Sequence, residues 1–240
     1  MNAVALRPPV ISAGSALFLD IDGCLLEFAD DPAAVRATPR VIAALDALER
    51  RLDGALALVS GRTLAAIDAI FAPAQYGAVG LHGLEHRSDH PQARDPRLAS
   101  VAEAARMVID AWPGALVEDK GRSLALHWRV APAAGTAIRE FATQALEQLP
   151  DYRLEPGNQV IELRPQGADK GSAIRELMAT PRFAGRVPVF AGDDLTDEAG
   201  FATVNEMGGI SVLVGDRLLS AATHHLLDPA AVLAWLEETP

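Results

Sequence analysis

A short apolar run that ends in two carboxylates constrains the fold of this chain more than any other segment. Residues 16–19 read Ala-Leu-Phe-Leu and lead directly into Asp20, Ile21 and Asp22. Because the interior of a buried strand excludes an unpaired carboxylate, this pattern is typical of a strand whose carboxyl end carries a site. Ligands bind at that edge of open α/β sheets. Asp22-Gly23 also suits an ordinary surface turn, so the segment alone leaves both interpretations open.

Strands and helices alternate in the first and last thirds of the chain. In the first third we predict the order β-α-β-α-β, at residues 15–19, 39–51, 55–59, 63–71 and 76–81. Thr38 and Pro39 support the start of the first helix, as its N-cap and first residue. From Asp169 onward the alternation returns, with helices at 170–178, 196–207 and 229–238 and strands at 187–191 and 210–214. This order predicts the α/β class, with a doubly wound parallel sheet as the core.

The middle third has the order α-β-β-α-β-β, which is typical of an α+β unit. Its predicted elements are a helix at 96–112, strands at 115–119 and 123–130, a helix at 133–149 and a strand pair joined at 155–158. We therefore predict a core of residues 1–84 and 167–240, interrupted by an inserted α+β domain at 85–166. Polar and apolar side chains alternate along the strand at 123–130, which predicts a sheet with one dry face and one polar face. The dry set is Leu124, Leu126, Trp128 and Val130.

Composition narrows the class of partner. No apolar run approaches membrane length, and the first nine residues lack the pattern of a secretory signal, so we expect a cytoplasmic protein. The formal net charge of −11 argues against nucleic acid or an acidic membrane as a partner. The same charge repels a phosphorylated ligand, so phosphate chemistry here requires a bound cation and a few well-placed basic side chains.

Four polar clusters follow predicted strands or begin a predicted helix. They are Asp20-Ile21-Asp22, Ser60-Gly61-Arg62, Asp169-Lys170-Gly171 and the segment from Gly192 to Glu198. Each has an ordinary structural explanation, as a strand-to-helix turn, a solvated lysine or acidic residues favoured by a helix dipole. Together they occur in the order that brings them to one edge of one sheet, which favours a shared site.

This combination suits phosphoryl transfer through an aspartyl-phosphate. Asp20 can attack phosphorus as a nucleophile, and Asp22 can protonate the leaving oxygen and then deprotonate water. Carboxylates such as Asp20 and Asp193, together with a backbone carbonyl, are the hard ligands that Mg²⁺ prefers. Ser60 can donate to a phosphoryl oxygen, and Lys170 can neutralise charge in the transition state.

These motifs resemble, in order and context, those of the haloacid dehalogenase superfamily of phosphohydrolases. More narrowly, Gly192-Asp193-Asp194-Leu195-Thr196-Asp197-Glu198, His82-Gly83 and Val59-Ser60-Gly61-Arg62 are similar to the trehalose 6-phosphate phosphatase family. The resemblance implies a Rossmann-like core, with Asp20 as nucleophile and Asp22 as general acid/base. The metal residues that it implies for Mg²⁺ are Asp20, Asp22 through its backbone carbonyl, and Asp193, with Asp194 and Asp197 holding metal-bound water or Lys170.

The chain departs from that family at Cys24, where the family usually has Thr or Val. Cysteine has similar bulk and can behave as a small buried hydrophobe. It is the single cysteine of the chain, so no disulfide can form within it. No histidine lies close in sequence to ionise the thiol. We therefore expect Cys24 to support the loop and Asp20 to remain the nucleophile.

An insertion at this point in the superfamily is a cap that closes over the site and selects the leaving group. Glu118, Lys120 and Glu162 match polar positions at which caps of the trehalose 6-phosphate phosphatase family hold the sugar. The alternative is that they form the solvated side of a one-sided sheet. With the polar face of the insertion included, the residues expected to bind substrate are Gly61, Arg62, His82, Gly83, Glu118, Lys120, His127, Arg129 and Glu162. Gly83 and residues 164–167 are the expected hinges.

The resemblance implies a Mg²⁺-dependent phosphatase that converts trehalose 6-phosphate into trehalose and phosphate. Its partner would be this small sugar phosphate, with a functional link to a trehalose 6-phosphate synthase. Another capped phosphatase, acting on sucrose phosphate or mannosyl phosphoglycerate, is the alternative within the enzyme class. A non-catalytic sugar-phosphate sensor or a regulatory subunit of a synthase is the alternative outside it. That alternative predicts the loss of at least one chemical group from the four clusters, and all of them are present.

Overall fold

The predicted strand before Asp20 lies at the centre of the larger sheet. The computed structural model describes residues 6–29, 34–87 and 95–238, and β1 (Ser15–Leu19) is buried along its whole length. Residues 1–5, which carried part of the argument about a secretory signal, lie outside the described residues. The chain divides into two units, which we call the core unit (residues 1–88 and 168–240) and the cap unit (residues 89–167).

The core unit is built on a sheet of seven strands. After β1 come β2 (Leu56–Val59), β3 (Gly77–Gly80), β4 (Glu85–His86), β9 (Val187–Gly192), β10 (Ile210–Val214) and β11 (His224–Leu226). Their order is β11-β10-β9-β1-β2-β3-β4, and every neighbouring pair is parallel except β3 and β4. The strand order reverses between β1 and β9, which is where open α/β sheets bind ligands. The predicted doubly wound α/β core is confirmed.

Helices flank this sheet as the apolar periodicity predicts. They are α1 (Pro39–Arg51), α2 (Leu64–Phe71), α5 (Lys170–Met178), α6 (Glu198–Glu206) and α7 (Pro229–Glu237). The hydroxyl of Thr38 accepts a hydrogen bond from Val41 N and so caps α1, as its position before Pro39 predicts. The helix predicted at 196–207 begins two residues later, because Leu195–Asp197 forms a separate 3₁₀ turn. Among the described residues, no helix combines the length and the apolar character that crossing a bilayer requires.

The cap unit has an antiparallel sheet with helices against one face. Its strands are β5 (Leu116–Asp119), β6 (Leu124–His127), β7 (Tyr152–Gly157) and β8 (Val160–Pro165), in the order β5-β6-β8-β7. Its helices are α3 (Pro96–Ile109) and α4 (Gly135–Ala145). Side chains from both helices and the sheet form one apolar cluster that includes Leu98, Val101, Leu126, Ile138 and Leu163. The predicted α+β order of the middle third is therefore present.

One detail of the predicted dry face is wrong. Leu124, Leu126 and Trp128 are buried as expected, but Val130 is 78% exposed. Strand β6 ends at His127, and Ala131 N donates to Trp128 O, so the chain turns before it reaches Val130. Pro132 follows directly and cannot donate to a continued ladder. The predicted alternation of polar and apolar residues therefore includes residues that lie beyond the end of β6.

Candidate active site

Three carboxylates meet at the carboxyl ends of β1 and β9. Leu19 pairs with Ala191 in the sheet, and Asp20 N donates to Ala191 O, so Asp20 and Asp193 follow adjacent parallel strands. One carboxylate oxygen from each of Asp20, Asp193 and Asp197 lies within 4.8 Å of the other two. Asp20 is only 5% exposed. The edge predicted from the sequence therefore carries a compact acidic cluster.

Lys170 provides the positive charge of this cluster. Its Nζ lies 2.9 Å from Asp20 Oδ1 and 2.6 Å from Asp197 Oδ1, and the side chain is 1% exposed. Burial alone would lower the pKa of Lys170, but the negative charges of Asp197 and Asp20 outweigh it and raise that pKa above its ordinary value. The lysine is therefore held as a cation between two carboxylates.

The backbone before Lys170 is fixed by a capping box at the start of α5. The carboxylate of Asp169 accepts from Ser172 N at 2.7 Å, and Ser172 Oγ accepts from Asp169 N at 3.0 Å. The sequence indicates Asp169 only as a member of a polar cluster. An aspartate three residues before Ser172 is nevertheless typical of a capped helix start. Sequence reasoning missed this positioning role.

Asp197 shapes the loop that follows β9. Its Oδ2 accepts from Asp193 N at 2.9 Å and from Asp194 N at 3.0 Å, while its Oδ1 faces Lys170. A Cβ on Gly192 would lie 2.3 Å from Asp197 Cγ, so only glycine leaves room for this carboxylate. Asp194, also predicted near the metal, is exposed, lies outside the group of three and accepts from Leu195 N.

The electrostatics of the cluster suit a cation. Burial raises the pKa of Asp20 well above its usual range, although Lys170 opposes the shift. Burial, with the charge of Asp197 second, raises the pKa of Asp193 to about 7. Asp193 Oδ1 is buried and has no hydrogen-bond partner among the described residues. The cluster thus has three carboxylates and one lysine, and Asp193 Oδ1 is available to coordinate. This set of groups fits a hard divalent metal ion.

A second loop, after β2, approaches the cluster through Asp22. Arg62 donates to both carboxylate oxygens of Asp22, and Arg62 N donates to the Oγ of the buried Ser60. Leu81 N donates to Arg62 O and His82 N donates to Ser60 O, so the segment after β3 holds the loop in place. Arg62 was predicted to bind substrate, and the structure brings it directly onto Asp22.

The segment after β3 has an unusual backbone. Leu81 and His82 have φ values of 49° and 53°, in the left-handed region that favours glycine. No residue type at these two positions signals this conformation. His82 packs against Gly61, where a Cβ would lie 2.4 Å from its Nε2. A Cβ on Gly83 would lie 2.7 Å from Asp169 O, so the predicted hinge at Gly83 is tightly packed in this structure.

Cys24 lies in the apolar core below the loop that follows β1. It is fully buried and belongs to the main hydrophobic cluster. Burial, and then the charge of Asp20, raises the pKa of its thiol well above the ordinary value. Because the thiolate is the nucleophilic form, this environment disfavours attack by Cys24.

Four of the five predicted sugar-binding residues of the cap unit lie on the polar face of its own sheet, namely Glu118, Lys120, His127 and Glu162. Glu118 of β5 pairs with Ala125 of β6, and Ala125 pairs with Glu162 of β8. The two carboxylates therefore lie in one row across the sheet. His127 Nε2 lies 2.9 Å from Glu118 Oε2, and Lys120 Nζ lies 3.5 Å from Glu162 Oε2. Arg129 lies beyond the end of β6 and is exposed.

Comparisons with known proteins agree on one family. The trehalose-phosphatase family profile matches residues 18–223. A probable trehalose-phosphate phosphatase of Sinorhizobium fredii is 43% identical over 207 residues, which cover 83% of this chain and 77% of the relative. The trehalose-6-phosphate phosphatase of Escherichia coli is 38% identical over 242 residues, covering 99% and 91%.

A solved structure shares the fold. The C-terminal domain of C. albicans trehalose-6-phosphate phosphatase superposes with a TM-score of 0.77 at 24% identity, covering 94% of this chain and 92% of that one. The profile match covers most of the chain, both relatives exceed 30% identity, and the carboxylate cluster lies at the sheet edge where the motifs predict it. The chain belongs to the trehalose-phosphatase family.

Proposed function

We propose that this chain hydrolyses trehalose 6-phosphate to trehalose and inorganic phosphate through a phosphoryl-aspartate on Asp20. The observation that carries the proposal is the buried contact of Lys170 with Asp20 and Asp197. A cation at that position opposes the effect of burial on the nucleophile and lowers the repulsion when a phosphate dianion approaches. The reaction and the substrate are those that the names of the relatives give.

In the first half-reaction, an oxygen of Asp20 attacks phosphorus and the bond from phosphorus to the sugar oxygen breaks. Asp22 donates its proton to that oxygen, so trehalose leaves as an alcohol. In this structure Arg62 donates to both oxygens of Asp22, so a proton must reach Asp22 at this position before the first half-reaction. Ser60 Oγ donates to a phosphoryl oxygen, and Lys170 stabilises the charge that develops.

In the second half-reaction, water attacks phosphorus and the bond to Asp20 breaks. Asp22 now accepts the proton from the attacking water, which restores the protonated form that it needs for the next first half-reaction. Arg62 orients Asp22 for this role, because two hydrogen bonds from a guanidinium fix the plane of the carboxyl group. One residue thus carries the proton for both halves.

We propose Mg²⁺ as the metal ion, with Asp20, Asp193 and the backbone carbonyl of Asp22 as its ligands. When bound, it would neutralise the phosphate and align it with the nucleophile. The free Oδ1 of Asp193 supports a ligand role for that residue. For Asp197 the contacts with Lys170 and with two backbone amides support a positioning role. Asp194, which is exposed, is proposed to hold metal-bound water.

The two units would have separate roles in the reaction. Residues 1–84 and 167–240 would carry the chemistry, and Gly61, Arg62, His82 and Gly83 would line the phosphate end of the substrate. Residues 85–166 would form the cap that selects the sugar, using Glu118, Lys120, His127, Arg129 and Glu162. Carboxylate, lysine and imidazole groups provide both donors and acceptors, as the hydroxyl groups of a disaccharide require. Closure of such a cap excludes water from the reacting phosphate.

We further propose that the reaction takes place in the cytoplasm, next to a trehalose 6-phosphate synthase. The substrate carries a phosphate dianion, which does not cross an apolar bilayer. The enzyme that makes the ester must therefore share a compartment with the enzyme that hydrolyses it.

The decisive experiment measures phosphate release from a panel of sugar phosphates, with Mg²⁺ or with EDTA, for the wild type and Asp20→Asn. The panel contains trehalose 6-phosphate, sucrose 6-phosphate, mannosyl phosphoglycerate and glucose 6-phosphate. We expect trehalose 6-phosphate to be hydrolysed fastest, EDTA to abolish turnover and Asp20→Asn to be inactive. Preference for another disaccharide phosphate would overturn the substrate alone. Failure to turn over any substrate with Mg²⁺ would favour a sensor or regulatory subunit.

A further inference from the structure

One aromatic ring of the core unit faces solvent beside the carboxylate cluster. Phe28 is 73% exposed and is the only exposed aromatic side chain among the described residues. Other phenylalanines of the same unit are buried, namely Phe18, Phe71, Phe183, Phe190 and Phe201. This unit buries its other phenylalanine rings. An exposed ring next to the carboxylate cluster therefore indicates a contact with a ligand.

The position of the ring is defined by Gly23. A Cβ built on Gly23 would lie 2.2 Å from Asp193 Oδ2 and 2.6 Å from Phe28 Cε2. The ring edge and the carboxylate therefore flank the same point, directly above the loop that leaves β1. Gly23, at a φ of 78°, lets both groups approach that point, and any side chain there would push one of them away.

The turn that precedes Phe28 is held by backbone hydrogen bonds. Gly23 N donates to Leu26 O at 2.7 Å, and Leu26 N donates to Ile21 O at 2.8 Å. Cys24, Leu25 and Leu26 are buried in the core beneath. Phe28 therefore lies two residues after a hydrogen-bonded and buried turn, which limits the entropy cost of placing its ring against a ligand.

We propose that Phe28 is a specificity-determining residue that stacks against the C–H face of the sugar ring bearing the phosphate. Asp20 is buried, so the phosphate must enter the cluster while the sugar stays outside it, at the level of the exposed ring. A glucopyranose ring offers one face of C–H groups and a rim of hydroxyls. An aromatic ring covers that face without competing for the hydroxyls, and the contact removes apolar surface of both partners from water.

This inference rests on the proposed function and deepens it. It assigns the sugar next to the phosphate to a core residue, whereas the cap residues would act on hydroxyl groups. It also predicts which substrates depend on Phe28: those with a pyranose ring at the phosphate. A phosphate ester without a ring has nothing to stack.

The test compares trehalose 6-phosphate with acetyl phosphate in steady-state kinetics, for Phe28→Leu, Phe28→Ala, Phe28→Tyr and Phe28→Trp. We expect the Leu and Ala variants to raise KM for trehalose 6-phosphate roughly tenfold with kcat within about threefold of the wild type. The aromatic variants should keep KM near the wild-type value, and kcat/KM for acetyl phosphate should be unchanged throughout. Leu218→Ala, which removes a 96% exposed leucine from another loop of the core unit, is the matched control and should change nothing.

A wild-type KM in Phe28→Leu would overturn the inference, since the ring would then have no role. An equal loss on acetyl phosphate would also overturn it, because the loop and not the sugar contact would be affected. The proposed function fails separately, if the wild type does not hydrolyse trehalose 6-phosphate. The same variants are then compared on the best substrate that carries its phosphate on a pyranose ring, and the inference falls if no such sugar phosphate is hydrolysed.

Discussion

Arg62 holds Asp22 with two parallel hydrogen bonds, from Nε to Oδ2 at 2.7 Å and from Nη2 to Oδ1 at 2.6 Å. The arginine is itself anchored, because its N–H donates to Ser60 Oγ and its carbonyl accepts from Leu81 N. The loop after β2 therefore sets the direction of the side chain that we propose as the proton carrier. An arginine fork fixes a carboxylate plane in a way that a lysine cannot.

Loss of this fork should lower the rate of the chemical step. We expect both Arg62→Ala and Arg62→Lys to reduce kcat roughly 10- to 100-fold, because Asp22 loses its orientation in both. The measurement is steady-state phosphate release from trehalose 6-phosphate. Arg175→Ala is the control, since it breaks an arginine-carboxylate pair with Glu206 on the surface of the same unit. Full activity in Arg62→Lys would contradict an orienting role for the fork.

Lys170 offers a test of charge balance, because the chain has only two lysines. Lys170→Met leaves Asp20 and Asp197 buried without their counter-charge, so the free energy of unfolding in EDTA should fall by about 3–5 kcal/mol. Turnover should fall at least about 100-fold as well. Lys120→Met breaks the more open pair with Glu162 and should cost about 1 kcal/mol or less.

Urea denaturation of the two variants under the same conditions measures the difference. The same chemical change is made at both positions, so lost lysine packing is matched approximately. Equal losses of stability would mean that the buried contacts of Lys170 are no more important than a contact at a partly open site.

The sequence predicts the acidic edge because the relevant rule is local. A polar residue marks the end of each buried strand, and the carboxyl ends of parallel strands lie at one edge of the sheet. The prediction therefore requires no information about distant contacts. This is why Asp20, Ser60 and Asp193 could be assigned to one edge before the structure was known, and Lys170 joined them as the first residue of a predicted helix. The same rule gave the strand alternation and the seven-stranded core except for its two short edge strands, β4 and β11.

Other features depend on contacts that no local pattern encodes. Arg62 and Asp22 are 40 residues apart, and nothing in either segment specifies a hydrogen bond between their side chains. Leu81 and His82 have positive φ without a glycine to signal it, because hydrogen bonds to Arg62 and Ser60 outweigh the local preference. The end of β6 was misplaced because a residue beyond a turn can continue the alternation by chance.

The raised pKa of Asp193 predicts how stability depends on pH without metal. Its carboxyl has a pKa of about 7 when folded and an ordinary value of 3.8, so the folded state binds the proton more tightly. Stability should therefore fall as pH rises from about 4 to about 7, by about 2 kcal/mol once solvent screening of this partly exposed group is allowed for. Asp193→Asn cannot ionise and should be more stable than the wild type at pH 8 in EDTA, with the gap closing towards pH 5.

Urea midpoints at pH 5, 6, 7 and 8 measure that gap. Asp216→Asn, at an exposed position on the loop after β10, is the control and should shift the midpoint equally at every pH. Addition of Mg²⁺ at pH 8 should stabilise the wild type more than Asp193→Asn, because the metal ion compensates the ionised carboxylate. A gap that does not change with pH would show that burial of Asp193 does not impose the proposed cost.

The contact between Gly61 and His82 predicts a non-additive pair of substitutions. A Cβ at position 61 would lie 2.4 Å from His82 Nε2 and 2.6 Å from Cε1, so Gly61→Ala should force the ring away, cost about 1–3 kcal/mol and reduce turnover. His82→Ala removes the clash, so Gly61→Ala should cost at least about 1 kcal/mol less in that background. Gly14→Ala, where the nearest atom is 3.9 Å away, is the control and should be close to neutral. Additive effects of the two substitutions in urea denaturation would mean that the ring of His82 does not restrict the loop that carries Ser60 and Arg62.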